Sequence, residues 1–201
     1  MRAGRTRLRV AAFVVLAAAV VTWDAVAPRM AAVGLWPEVV IIAAAVLPAT
    51  LALIFLALPL WSKRRLVVAG LVVFLVAAVL TWKVDEHLAS NFAKLAAYTC
   101  GGWIFLWLFE ELGWVLIIAL IIPFVDAISV AVGPTNTIVH HHFAVYSAVA
   151  VAFVAPGGNA AGLGPPDILF FALFLASTVR WRLRPCWTWL AMTAMYALTL
   201  V

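Results

Sequence analysis

Pro123-Phe-Val-Asp-Ala-Ile-Ser-Val130 sets one carboxylate, Asp126, inside an otherwise apolar run. Gly162-Leu-Gly-Pro-Pro-Asp-Ile-Leu-Phe-Phe171 sets a second, Asp167, at the edge of the next long one. A carboxylate within hydrocarbon is costly, so an ionisable residue there is by default a candidate functional site. Two of them on consecutive hydrophobic segments suggest a pair that works together.

The rest of the chain fits a bilayer. Of 201 residues, 68% are hydrophobic and 10% charged, against roughly 25% charged in soluble domains. Near-uncharged runs of helical length predict membrane helices, not barrel strands. The fold class expected is all-α: a polytopic transmembrane bundle of about seven segments, forming one domain over residues 1–201. Within it, residues 1–111 supply N-terminal helices and 112–201 the helices with the aspartates, joined by a connecting segment at 133–165. The net charge of +5 does not signal nucleic acid, because the basic residues sit at the ends of apolar runs. Cys100 and Cys186 form no disulfide or metal pattern.

Read in order, helix one covers about Leu8–Val26. Ala25-Val26-Ala27 resembles a signal-peptide cleavage site, but Pro28 directly after it favours an uncleaved helix. Helix two runs about Val39–Trp61, bent at Pro48; helix three about Leu66–Trp82. Lys83 to Lys94 reads as a surface connection. Helix four is about Leu95–Phe109, and Glu110-Glu111 a tight turn. Helix five is about Leu112–Val132, ended by Gly133-Pro134-Thr135. Helix six is about Pro166–Val179, and Trp187–Val201 is a last apolar segment. Between them, the run from Phe143 to Val154 is too short to span. A re-entrant piece, an interfacial helix and strands over a cleft all stay open for it, and the His140–Asn159 segment is expected to border a cleft. No internal repeat is evident.

Ten of the 13 basic residues fall at 1–9, 61–65 and 180–184. By the positive-inside rule these ends, and the N-terminus, are cytoplasmic. Helix five then runs outward and helix six inward. Asp126 lies about seven residues before Gly133, roughly 10 Å below the outer end. Asp167 matches that depth if the Gly162–Pro166 approach dips into the membrane, where irregular backbone needs protein or a water-filled cavity around it. Pro165-Pro166 suits a helix start. Pro123 would free a carbonyl and kink helix five, opening room for water. Two close carboxylates share a proton. The ionised one can activate water as general base while the other polarises a carbonyl, and the pair titrates as a unit. Phe170 and Phe171 would help to line a dry pocket.

Val125-Asp-Ala-Ile-Ser-Val130 resembles the first catalytic motif of the presenilin and signal peptide peptidase family, close to its archaeal members. Gly162-Leu-Gly164 with Asp167 resembles the second, Gly-x-Gly-Asp. The resemblance covers about Val125–Thr135 and Gly162–Leu175. It implies a presenilin-like helical intramembrane aspartyl protease of a prokaryotic cell membrane, with Asp126 and Asp167 catalytic and Gly162, Leu163 and Gly164 at the substrate. It implies no cofactor and no metal. The expected partners are a transmembrane peptide or signal-peptide remnant and the lipid bilayer. The helix sense is that of signal peptide peptidases, whose substrates have cytoplasmic N-termini. The sequence departs from the pattern at Val125, where the family has tyrosine, and at Pro165-Pro166, inserted before Asp167. It also has one helix fewer before Asp126, and the later Pro-Ala-Leu motif is expected beyond residue 201.

Plainer readings stand beside these. Asp167 alone is a helix N-terminal residue favoured by the macrodipole. Asp24 and Glu38 read as interfacial, Glu110-Glu111 as a turn, and His140-His-His142 as a solvated loop. The tryptophans read as interfacial belts. The competing function is a small proton- or ion-coupled transporter using the same aspartates as a relay, for which repeat symmetry would be expected.

Overall fold

The computed structural model describes residues 2–132 and 143–200. The side chains of residues 2, 3, 5, 123, 126–132, 143 and 144 lie outside that description. So do the helix end expected at Gly133-Pro134-Thr135, the triple histidine, and the side chain of Pro123, the site of the expected kink.

The described chain is mostly helical. Helix α1 covers Arg2–Val26. Helix α2, Leu35–Ile41, passes through a π turn, Ile42–Val46, into α3, Leu47–Ala57. Pro48 sits in the first turn of α3 and can give no N–H to the carbonyl four residues back. Just ahead of it the Leu47 N–H bonds the Ile42 carbonyl, five residues back. The irregularity expected at Pro48 is therefore a π turn. Helices α4 and α5 cover Arg64–Lys83 and His87–Leu106, α6 Leu112–Val132 and α7 Phe143–Val149. Strands β1, Val151–Val154, and β2, Ala160–Leu163, form an antiparallel hairpin. Helices α8, Pro165–Arg180, and α9, Pro185–Thr199, complete the chain.

Three stretches are long and apolar enough to cross a membrane: Thr6–Arg29, Leu35–Leu60 and Arg64–Lys83. Helix α4 shows why. Val68, Val72, Val73, Val76, Val79 and Leu80 are all exposed, so it is apolar on its outer faces as well as its packed one. In water such a surface would far exceed the patch of a few hundred Å² that a soluble monomer tolerates.

The core lies where α3, α5, α8 and the hairpin meet, around Leu47, Leu51, Leu106, Ile168, Phe171 and Leu173, all fully buried. Small residues let the rods approach. Gly70 of α4 faces the Cys100 sulfur, and Gly102 of α5 lies against the backbone of Leu169 in α8.

Val151 and Phe153 point into the core, the alternation a strand requires. The hairpin turn uses left-handed Gly157 (φ +84°) and Gly158 (φ +87°). A Cβ at Gly157 would stand 2.7 Å from the Ala32 side chain. The undecided run from Phe143 to Val154 is thus a short helix followed by the first strand of the hairpin. The all-α expectation holds for the scaffold and misses this hairpin.

Polar contacts divide the molecule into two ends. At one, the Arg9 guanidinium donates to the Leu56 carbonyl at 2.8 Å and to the Phe55 carbonyl. There too Arg180 donates to the Leu106 carbonyl at 2.9 Å, and Arg64 lies over the Trp107 ring. The hairpin and its polar partners occupy the other end. Helices α1, α5 and α8 run between these ends, and Arg9, Arg64 and Arg180 lie at the first of them.

Candidate functional site

Asp167 stands in the first turn of α8. Gly164 is the N-cap with extended backbone, and Pro165 and Pro166 take positions where no N–H is needed. The Asp167 carboxylate accepts the Gly164 N–H at 2.9 Å. Its negative charge also suits the helix N-terminus. Tyr196 of α9 donates its hydroxyl to the Asp167 carbonyl at 3.0 Å. Tyr146 of α7 donates to the Gly162 carbonyl at 3.0 Å. Burial first, and then the charge of Asp167, hold the Tyr146 phenol above its ordinary range. A phenol and a carboxylate thus lie close enough at the start of α8 to feel each other's charge.

The glycine motif has local structural roles here. A Cβ at Gly162 would stand 3.3 Å from the Tyr146 hydroxyl, so glycine makes room for the ring. Leu163 is buried and pairs with Val151. Gly164 has φ −65°, which any residue adopts, and a Cβ there would make ordinary contact with the Asp167 carboxylate at 3.4 Å. Phe171 is buried against Tyr196, with ring centroids 6.2 Å apart. Phe170 packs between Phe105 and Phe174. Both rings serve helix packing.

Asp126 is carried by α6, which packs against α8; its side chain lies outside the described residues. Its height along the helix follows from the backbone. From Leu112 to Asp126 is 14 residues and from Arg180 back to Asp167 is 13. At about 1.5 Å per residue, each aspartate lies roughly 20 Å along its own helix, Asp126 from Leu112 and Asp167 from Arg180.

A second polar group, missed in the sequence, anchors the hairpin. Asn91 brackets Ala152, accepting its N–H at 2.7 Å and donating to its carbonyl at 2.8 Å. The same amide lies 3.5 Å from the Asp24 carboxylate. Lys94 donates to the Ala150 carbonyl at 2.6 Å and the Ala148 carbonyl at 3.3 Å. The Trp23 indole donates to the Val154 carbonyl at 2.8 Å. Glu38, expected at an interface, is only 4% exposed and accepts the Asn159 amide at 2.7 Å. Asn91 and Lys94, expected on a surface connection, lie within α5. They end the hydrogen-bonding edge of β1, which would otherwise be an open template.

Asn91→Leu keeps the volume and removes both bonds to Ala152. Each backbone group left unpaired costs roughly 1–3 kcal/mol. A lower melting temperature in detergent and faster limited proteolysis near the hairpin are expected. Unchanged melting with an equally protected hairpin would refute the anchoring role.

Among the described residues no three His, Cys, Asp or Glu side chains gather as a metal site. Compared with known proteins, the chain matches no family model, and no curated protein or solved structure is significantly similar to it.

Proposed function

We propose that this is a multi-pass membrane protein, about seven segments in a presenilin-like arrangement, that hydrolyses peptide bonds within transmembrane segments. Asp126 and Asp167 form the catalytic dyad. What supports this reading is that the two aspartates lie equally far along two contacting helices, with Asp167 held in the first turn of α8.

One carboxylate is ionised and takes a proton from water as it attacks the scissile carbonyl. The other, protonated, hydrogen-bonds the carbonyl oxygen and gives up its proton as the tetrahedral intermediate forms. Collapse returns a proton to the leaving amine. Because the pair shares one proton, cleavage should follow a bell-shaped pH profile. The β-hairpin and α7 border the site, consistent with a connecting segment that flanks the substrate. The Gly162–Gly164 backbone, beside Asp167, is the substrate-facing element. The basic end faces the cytoplasm of a prokaryotic cell, giving a cytoplasmic N-terminus, and substrates enter with theirs on the same side.

The test is a panel of transmembrane peptides in liposomes, given to the full chain and to an Asp126→Asn/Asp167→Asn double variant. Products within the apolar stretch from the first and none from the second are expected. Equal products from both would overturn the assignment. Reporter fusions after residues 64 and 135 check the orientation; a cytoplasmic signal from the second would reverse it.

A further inference from the structure

A crevice of about 320 Å³ opens on the lateral surface between α1, α3, α4 and α5. Its wall includes Phe13, Ala17, Leu60, Phe74, Phe92 and Trp103, and it has almost no polar lining. Along α5 it extends from Phe92 to Trp103, 11 residues or about 16 Å. That is about half of a 30 Å hydrocarbon core, the depth of one leaflet. Its inner end is marked by Leu60, and three residues on come Lys63, Arg64 and Arg65, all exposed. Among the described residues no carboxylate pairs with these three cations. Arg64 lies over the Trp107 ring, 5.3 Å from its centroid, one turn beyond Trp103.

We propose that this crevice is a binding site for an anionic phospholipid of the leaflet at the basic end. One acyl chain fills the crevice, and the phosphate rests on Lys63, Arg64 and Arg65. Length sets the occupant as a single leaflet-deep chain, and the exposed cations just beyond Leu60, with Arg64 and Arg65 along the outer face of α4 beside Val68, select an anionic headgroup. The proposal rests on the membrane placement above and not on the protease assignment.

Native mass spectrometry of the detergent-solubilised full chain tests it, with phosphatidylglycerol and phosphatidylcholine added separately. One bound phosphatidylglycerol is expected at about a hundredfold lower added lipid than phosphatidylcholine, since each of three cations near the surface contributes about 1 kcal/mol. Lys63→Gln/Arg65→Gln should cut that preference to about fivefold, the share left to Arg64, and an undiminished preference overturns the proposal. Ala96→Phe, which fills the crevice, should weaken retention of both. Equal retention of the two lipids by the unaltered chain overturns the proposal. So does undiminished retention by a folded Ala96→Phe protein. Should that variant fail to fold, the surface double variant decides alone, because neither of its changes touches the core. A chain that remains dispersed without detergent would instead overturn the membrane placement.

Discussion

Asp126→Asn and Asp167→Asn, each alone, are expected to reduce cleavage at least ~10²–10⁴-fold, the range typical of losing an acid–base catalyst. The double variant is expected to be no worse than either single one. A dyad acts as a unit: with one carboxylate gone, the other has no partner to share its proton, and removing it costs little more. Two independent binding residues would instead multiply their effects. Asparagine is the right replacement at position 167. The carboxylate there caps α8 by accepting the Gly164 N–H, and an amide oxygen can accept the same bond. Alanine would lose about 1 kcal/mol of capping and mix a folding defect into the rate. Wild-type cleavage by either single variant would remove that residue from the chemistry.

Gly102→Ala should have the largest effect on stability. The new Cβ would lie 2.2 Å from the Leu169 carbonyl oxygen and 3.0 Å from the Ala172 Cβ. Neither is the end of a flexible side chain, so α5 and α8 must move apart. Overpacking of this kind typically costs 1–3 kcal/mol, occasionally more, and a clash with backbone belongs at the upper end. The adjacent Gly101→Ala is the control. Its Cβ would meet only the Leu169 side chain, at 3.8 Å, and replacing glycine within a helix gains up to about 1 kcal/mol. Thermal unfolding in detergent should therefore show a marked fall for position 102 and none for position 101. Equal melting of the two would refute the close α5–α8 contact. Since α8 carries Asp167, the first variant should also displace the aspartate.

Local chemistry made much of this architecture readable. Apolar runs of spanning length revealed α1, α3 and α4, and Gly164-Pro-Pro marked the start of α8 to within a residue. What stayed hidden was pairing over long sequence distances. Asn91 and Lys94 look like surface residues until β1 and the residues just ahead of it, some sixty positions later, provide backbone groups for them. Counting them as solvated cut α5 short by two turns. Glu38 looked interfacial because nothing near it in sequence could satisfy a carboxylate; its partner, Asn159, is 121 residues away. The hairpin itself is short, and its Val151–Val154 run suits a strand or an apolar helix equally well until Gly157 and Gly158 are seen with positive φ. For the candidate site, residue type and spacing exposed the two aspartates, whereas the neighbouring phenols of Tyr146 and Tyr196 had no sequence signal.

Trp23, Glu38, Asn91 and Lys94, which anchor the hairpin and the residues just ahead of it, all come earlier in the chain than the hairpin does. During synthesis, which proceeds from the N-terminus, their helices leave the ribosome first. The receptor for β1 can therefore assemble before residue 151 emerges, and the strand need not wait in the bilayer with its edge unbonded. A circular permutant beginning at α7 would reverse this order and present the hairpin before its receptor.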